Sequence, residues 1–151
     1  MAKSDIGTDY QERVLPGLWF YAATLVVPLT IFLIALPFGE NVAYLGSLIS
    51  VIPIWITSWI TAPKVLLTSE ILRVGKAVIE RRFLEDAVAI APTESFAARS
   101  ANLSPLAYSR FQPAVKGLVS VKVSDPRDST PYWIFSTRNP EILAKRLNKK
   151  N

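Results

Sequence analysis

From Val14 to Gly39 the chain carries no ionisable side chain except Tyr21, and Pro16–Phe38 reads PGLWFYAATLVVPLTIFLIALPF. At about 1.5 Å per helical residue this run reaches roughly 34 Å, enough to cross a hydrocarbon core of about 30 Å. One acid, Glu40, follows, and Asn41–Pro63 is a second run without formal charge. So short a connection predicts two antiparallel transmembrane helices over residues 15–38 and 42–63, joined by an extracytoplasmic turn at 39–41. A signal peptide accounts poorly for the first run, which is too long and follows a segment crowded with acids. Two buried core helices fit no better, since too little chain remains to cover them.

Aromatic positions give the register. Trp19, Phe20 and Tyr21 open the first run, and Trp55 and Trp59 close the second. A hairpin brings these ends to one side, where they form an aromatic belt at one interface, with Phe38 and Tyr44 at the other. Pro28 and Pro53 predict kinks rather than a transport pathway, because neither run carries a charge. Gly46 and Ser50 are small residues one turn apart, which predicts close approach by a partner helix, most simply the first. The turn has no basic residue. Lys3 and Arg13 precede the hairpin, and Lys64, Arg73, Lys76, Arg81 and Arg82 follow it. The positive-inside rule therefore predicts a multi-pass plasma-membrane protein with both termini cytoplasmic.

After Pro63 the pattern shortens to alternating runs. Lys64–Thr68, Ile71–Val74 and Ala77–Arg82 read as strands joined by turns at Ser69-Glu70 and Gly75-Lys76. Asp86–Ala91 and Leu106–Phe111 are further strand candidates. Between them Thr93 is predicted to cap a short helix through Asn102, with Phe96 and Leu103 facing inward. Gly117–Ser124 alternates most clearly, and Pro131–Thr137 pairs back to it across Asp125–Asp128, with Trp133 and Phe135 on one face. Asn139-Pro140-Glu141 opens a last helix whose apolar stripe is Ile142, Leu143 and Leu147. The fold class is thus a membrane α-helical hairpin plus a small mainly-β (α+β) cytoplasmic domain over residues 64–151, preceded by an N-terminal arm over residues 1–14. Up to seven short antiparallel strands and a C-terminal helix match a pleckstrin-homology (PH)-like barrel, with an OB-like barrel as the alternative.

Composition narrows the chemistry. The 151 residues include no cysteine and no histidine, which excludes thiolate nucleophiles, disulfides and the usual zinc clusters and removes the commonest general base. No metal motif, phosphate-cradling loop or nucleophile–base pair stands out, so no cofactor and no catalytic residue is expected. Glu85 and Asp86 are adjacent on a strand and should face opposite ways. Residues 64–151 carry a net charge of +7 and residues 1–63 a net of −2. The candidate lipid- or partner-binding residues are Arg73, Lys76, Arg81, Arg82, Arg110 and Lys116; their plainer role is to solvate the domain and set topology. Tyr10, Glu12, Arg13, Trp19, Trp55 and Trp59 are candidate interfacial anchors. Tyr10, Glu12 and Arg13 could also supply an ion pair that docks the domain on the membrane. Basic residues scattered among acids argue against nucleic acid as a partner.

At Tyr10-Gln-Glu-Arg13, Leu72-Arg-Val-Gly75 and above all Pro131-Tyr-Trp-Ile-Phe-Ser-Thr-Arg-Asn-Pro-Glu141, the chain resembles actinobacterial membrane proteins of domain-of-unknown-function family 3093. The likeness runs from about Tyr10 to Leu147 and implies topology and host lineage without a mechanism. Where the family carries an acid before the proline of the mid-domain loop, this chain has Ser104, so no acidic role is carried over. The expected function is a non-enzymatic, membrane-tethered binding or scaffolding module at the inner leaflet, with membrane lipids and an unidentified protein as partners. The alternatives are an accessory subunit of a larger membrane complex and, third, an enzyme acting on an envelope precursor.

Overall fold

The computed structural model describes residues 8–149. The chain divides into a helical unit over residues 15–62 and a sheet unit made from the chain on either side of it. In the helical unit, α1 (Leu18–Thr24), α2 (Val26–Ala35) and a 3-10 turn (Leu36–Phe38) lead to α3 (Glu40–Thr61). The stretches Leu18–Phe38 and Glu40–Thr61 are long and apolar enough to cross a membrane. The first is broken rather than merely kinked. Pro28 has no N–H, so the Thr24 carbonyl four residues earlier loses its usual helical partner, and the helix interrupts at Leu25. Thr24 Oγ1 donates to Tyr21 O at 2.7 Å and accepts from Trp55 Nε1 at 3.4 Å.

Pro53, by contrast, lies inside the continuous α3. The turn is shorter than residues 39–41, because Gly39 alone separates the 3-10 turn from α3 and takes φ +115. Gly46 admits the first helix as expected: a Cβ there would meet Ile31 Cγ2 at 3.4 Å.

The sheet unit holds eight strands among the described residues. Four form an antiparallel sheet in sequence order: β1 (Thr8–Arg13), β2 (Lys64–Thr68), β3 (Ile71–Val74) and β4 (Ala77–Glu80). The second sheet has the order β5-β7-β8-β6, from β5 (Leu84–Ile90), β6 (Tyr108–Arg110), β7 (Leu118–Val123) and β8 (Tyr132–Ser136). A short α4 (Ser95–Arg99) and a final α5 (Pro140–Asn148) complete it. Alternation along the strands builds the core: Val65, Leu67, Leu72 and Val74 meet Val119, Val121, Trp133 and Phe135, and α5 adds Leu143, Ala144 and Leu147. Ile134 is also buried, so β8 is covered on both faces.

Several expectations need correction. Residues 8–13 form a strand rather than an arm, pairing with β2 from Thr8↔Thr68 to Arg13↔Lys64. The strand expected through Arg82 stops at Glu80, and Arg81–Phe83 is a 3-10 corner between the sheets. The edge strand β6 runs parallel to β8, so the fold is not wholly antiparallel. Helix α4 is short, carries no side-chain cap, and leaves Phe96 81% exposed. Ile142 points outward from α5, whose buried stripe is Leu143, Ala144 and Leu147. Glu85 and Asp86 are both exposed, because β5 bulges between Glu85 and Val88 with Asp86 at φ +45. The side chain of Asn148 fills that bulge, accepting from Ala87 N at 2.9 Å and donating to Ala87 O at 2.7 Å.

Candidate functional site

The first strand is fastened to the end of the last. Tyr10, Glu12 and Val14 alternate toward the core, and Glu12 lies beside the junction of β8 and α5. Its Oε2 accepts from the Tyr10 hydroxyl at 2.6 Å and from Thr137 Oγ1 at 2.6 Å, while Oε1 accepts from Arg138 N at 2.9 Å. Thr137 is fully buried, and its Oγ1 also accepts from Asn139 N at 3.2 Å. Burial, followed by the hydrogen bond to Glu12, pushes the Tyr10 hydroxyl above its ordinary pKa. Tyr10 and Glu12 therefore belong to the domain interior, and the ion pair expected at a membrane interface is a set of hydrogen bonds within the domain.

Arg81 performs a similar fastening at the opposite end of the sheet. Its side chain is 12% exposed, and the guanidinium pairs with Asp9 Oδ2 at 2.7 Å. It also donates to Thr68 O at 3.2 Å and to the carbonyls of Arg146 and Lys149, each at 2.6 Å. Those carbonyls end α5, where a cation offsets the negative end of the helix dipole. Arg146 in turn donates to Asp9 O and stacks over the Tyr10 ring at 5.6 Å. Arg81 is thus a structural staple, not part of an open basic face.

The remaining basic candidates divide by position. Arg82 pairs with Glu80 at 2.8 Å and lies over Phe83, close to Arg81. Arg73 is exposed on the outer face of β3, opposite Val78. Lys76, Arg110 and Lys116 gather at the other end, here called the junction end, where the chain leaves the sheet unit at Val14 and returns at Pro63. Lys76 follows Gly75, whose N–H donates to Lys64 O at 2.8 Å. A Cβ on Gly75 would lie 3.7 Å from Arg110 Nε, and Lys116 adjoins Gly117, whose carbonyl accepts from Thr137 N at 3.1 Å. In the helical unit Trp19 is 82% exposed, and Trp55 and Trp59 are each about half exposed; Trp55 packs edge-on against Tyr21 at 5.8 Å.

A cleft of about 690 Å³ runs between α4 and the outer face of the second sheet. Ile90, Ser120 and Ile134 form its floor, and Glu94, Asn102 and Tyr132 edge it. The Tyr132 hydroxyl is already engaged, accepting from Ser104 N at 2.8 Å and donating to Asn102 O at 3.3 Å. Behind α4, Arg99 donates to Val115 O and reaches Ser136 Oγ at 3.5 Å, and it lies over Phe111 at 5.2 Å. Burial lowers its pKa, yet a guanidinium stays charged. Among the described residues no three acidic side chains cluster as a metal site would need. Residues 9–147 match a family described as a protein of unknown function (DUF3093). The chain belongs to that family. No curated protein and no solved structure matches this DUF3093 member. The matched span begins at Asp9 and ends at Leu147, and so takes in both fastenings of β1, through Glu12 and through Arg81.

Proposed function

We propose that this protein is an integral membrane protein of the plasma membrane, in which a helical hairpin anchors a PH-like recognition domain at the inner leaflet. It acts by binding rather than by catalysis. The observation that carries this reading is the place of the hairpin, which interrupts one sheet between the paired strands β1 and β2. Val14 N donates to Pro63 O at 2.9 Å, so the chain leaves and returns at the same point. Any membrane crossing in between must be made an even number of times. Two helices of membrane-spanning length meet that condition, and their exposed Leu29, Leu33, Ile34, Leu48 and Ile49 form an apolar surface that water would not tolerate. The basic residues flanking the hairpin favour a cytoplasmic domain, and the family resemblance favours an actinobacterial host.

Two four-stranded sheets closed by a C-terminal helix suit the PH-like reading. The binding reading draws on the commitments of the polar interior: Glu12, Arg81, Arg99, Thr137 and Asn148 each hold backbone or another element in place. Single cysteines at Ser4, Glu40 and Asn151 provide the test, since the chain has none of its own. A membrane-impermeant maleimide applied to intact cells should label Glu40→Cys alone; labelling of Asn151→Cys would overturn the orientation. A role as accessory subunit has support of its own in a cleft of about 440 Å³ on the hairpin, edged by Phe20, Pro53, Ile54, Thr57, Ser58 and Thr61. Small hydroxyl residues on such a face allow another helix to pack closely. Co-migration with heavier proteins after mild detergent extraction would favour that role.

A further inference from the structure

The sheet unit carries an excess of positive charge at its junction end. Arg13 and Lys64 are paired across β1 and β2 at the point where the chain departs for the hairpin. Lys76 and Arg110 adjoin them through Gly75, and Lys116 and Arg138 follow around the rim, Arg138 beside Glu12 and Lys116 beside Gly117. Of the acids toward this end, Glu12 accepts three hydrogen bonds within the domain, and Glu94 and Glu141 are exposed. The opposite end carries Glu70 in the β2–β3 turn, Glu80 at the end of β4, and Asp125 and Asp128 in the β7–β8 turn, but there Arg81, Arg82 and Arg127 pair with Asp9, Glu80 and Asp125, so its charges largely balance.

We propose that this basic rim, formed by Arg13, Lys64, Lys76, Arg110, Lys116 and Arg138, is a contact surface for the headgroups of anionic phospholipids. The inference rests on the membrane reading above and adds the ligand class and the residues. Connectivity supports it. Pro63 is two residues from the end of α3 and Val14 four from the start of α1, at most about 7 Å and 14 Å of extended chain. On the membrane reading, tethers this short keep Arg13 and Lys64, which adjoin them in sequence, near the headgroups, whose attraction is felt over a screening length of about 8 Å in physiological salt. A cation held near an anionic leaflet favours an acidic lipid by about five-fold. Topology alone would need only positive charge close in sequence to the helices. Arg110, Lys116 and Arg138 are distant in sequence and brought to the rim by folding.

The hairpin supplies its own reporters, because Trp19, Trp55 and Trp59 lie in it. The full chain would be reconstituted in phosphatidylcholine vesicles in which a minor fraction is either brominated phosphatidylcholine or brominated phosphatidylglycerol. Tryptophan quenching then reads the local enrichment of each lipid. Phosphatidylglycerol should quench as though enriched about five-fold or more, and the preference should vanish near 1 M salt, where the screening length falls to about 3 Å. A Lys64→Gln/Lys76→Gln/Lys116→Gln variant should lose most of the preference. A Lys122→Gln/Arg127→Gln/Lys149→Gln variant, with the same charge removed away from the rim, should keep it.

Quenching by brominated phosphatidylcholine without any preference for phosphatidylglycerol would overturn the rim while leaving the membrane reading intact. Equal loss in the two variants would also overturn it, reducing the effect to net charge. Absence of quenching by either lipid would remove the membrane reading and the rim together. The salt titration of the unmodified chain decides the matter even where a variant folds poorly.

Discussion

Because Val14 and Pro63 are hydrogen-bonded neighbours, the hairpin can be replaced by a short turn without stretching the sheet. Joining residues 8–14 to residues 63–151 through a few glycine and asparagine residues should give a soluble domain. Its urea unfolding can be followed with Trp133, the one tryptophan left, which is 4% exposed in the core. Shortening the excursion between β1 and β2 about tenfold lowers the closure cost by roughly 2 kcal/mol. The comparison is the fragment Lys64–Asn151, which lacks β1. That fragment loses the fully buried Val14, worth about 1.5–3 kcal/mol, and Glu12, whose bonds to Thr137 and Arg138 are worth about 1.5–3 kcal/mol each. It also leaves Arg81 without Asp9. A deficit of about 4.5–9 kcal/mol is comparable with the whole stability of a small domain, about 5–15 kcal/mol. The joined chain should therefore melt cooperatively, and Lys64–Asn151 should be unfolded or barely folded. Equal midpoints for the two would refute the claim that β1 is an integral strand.

Three further outcomes can be read in the same joined chain. Arg81→Lys cannot reproduce the fork onto Asp9, Thr68, Arg146 and Lys149, and should lower stability by about 2–4 kcal/mol in urea titrations. Gly117→Ala should cost about 1–3 kcal/mol, since its Cβ would fall 2.5 Å from Thr137 O and disturb the strand end that holds Glu12. Tyr10 keeps its proton to higher pH in the folded chain than in the unfolded one, so its contribution is intact below a pH of about 10 and falls as pH rises through the raised value. Tyr10→Phe should flatten that part of the stability–pH curve, and an unchanged slope would show that the hydroxyl is not held as described.

The helical hairpin and most of the strands after Pro63 were legible because each follows one dominant rule. Long uncharged runs set the helices, and period-two alternation at Val119, Val121, Trp133 and Phe135 set the core strands. The strand at Thr8–Arg13 was not legible, because its sequence TDYQER has only Tyr10 as an apolar core residue and its partner lies beyond the hairpin. Its inward Glu12 looks like a surface residue until Thr137 and Arg138 are brought beside it. Arg81 was misplaced for the same reason: a charge in a basic stretch reads as solvated unless the acceptors at the end of α5 are known. The rim was half visible. Lys76, Arg110 and Lys116 stood out by charge, whereas Lys64, Arg13 and Arg138 join them only through strand pairing and the Glu12 contact.

The split of one sheet by the hairpin also bears on how the protein is made. Synthesis at about 5–20 residues per second delivers β1 several seconds before β2, and the fastenings at Thr137 and Arg146 come last of all. On the membrane reading proposed above, the strand at Thr8–Arg13 would stay unpaired while both helices pass into the insertion machinery as a pair. Its polar make-up would suit that wait, since a more apolar strand would risk being drawn in with the helix that follows. On that reading, closure of the domain would follow only an insertion that leaves both ends on one side, and a chain with its ends on opposite sides would keep β2 without β1 as an open sheet edge.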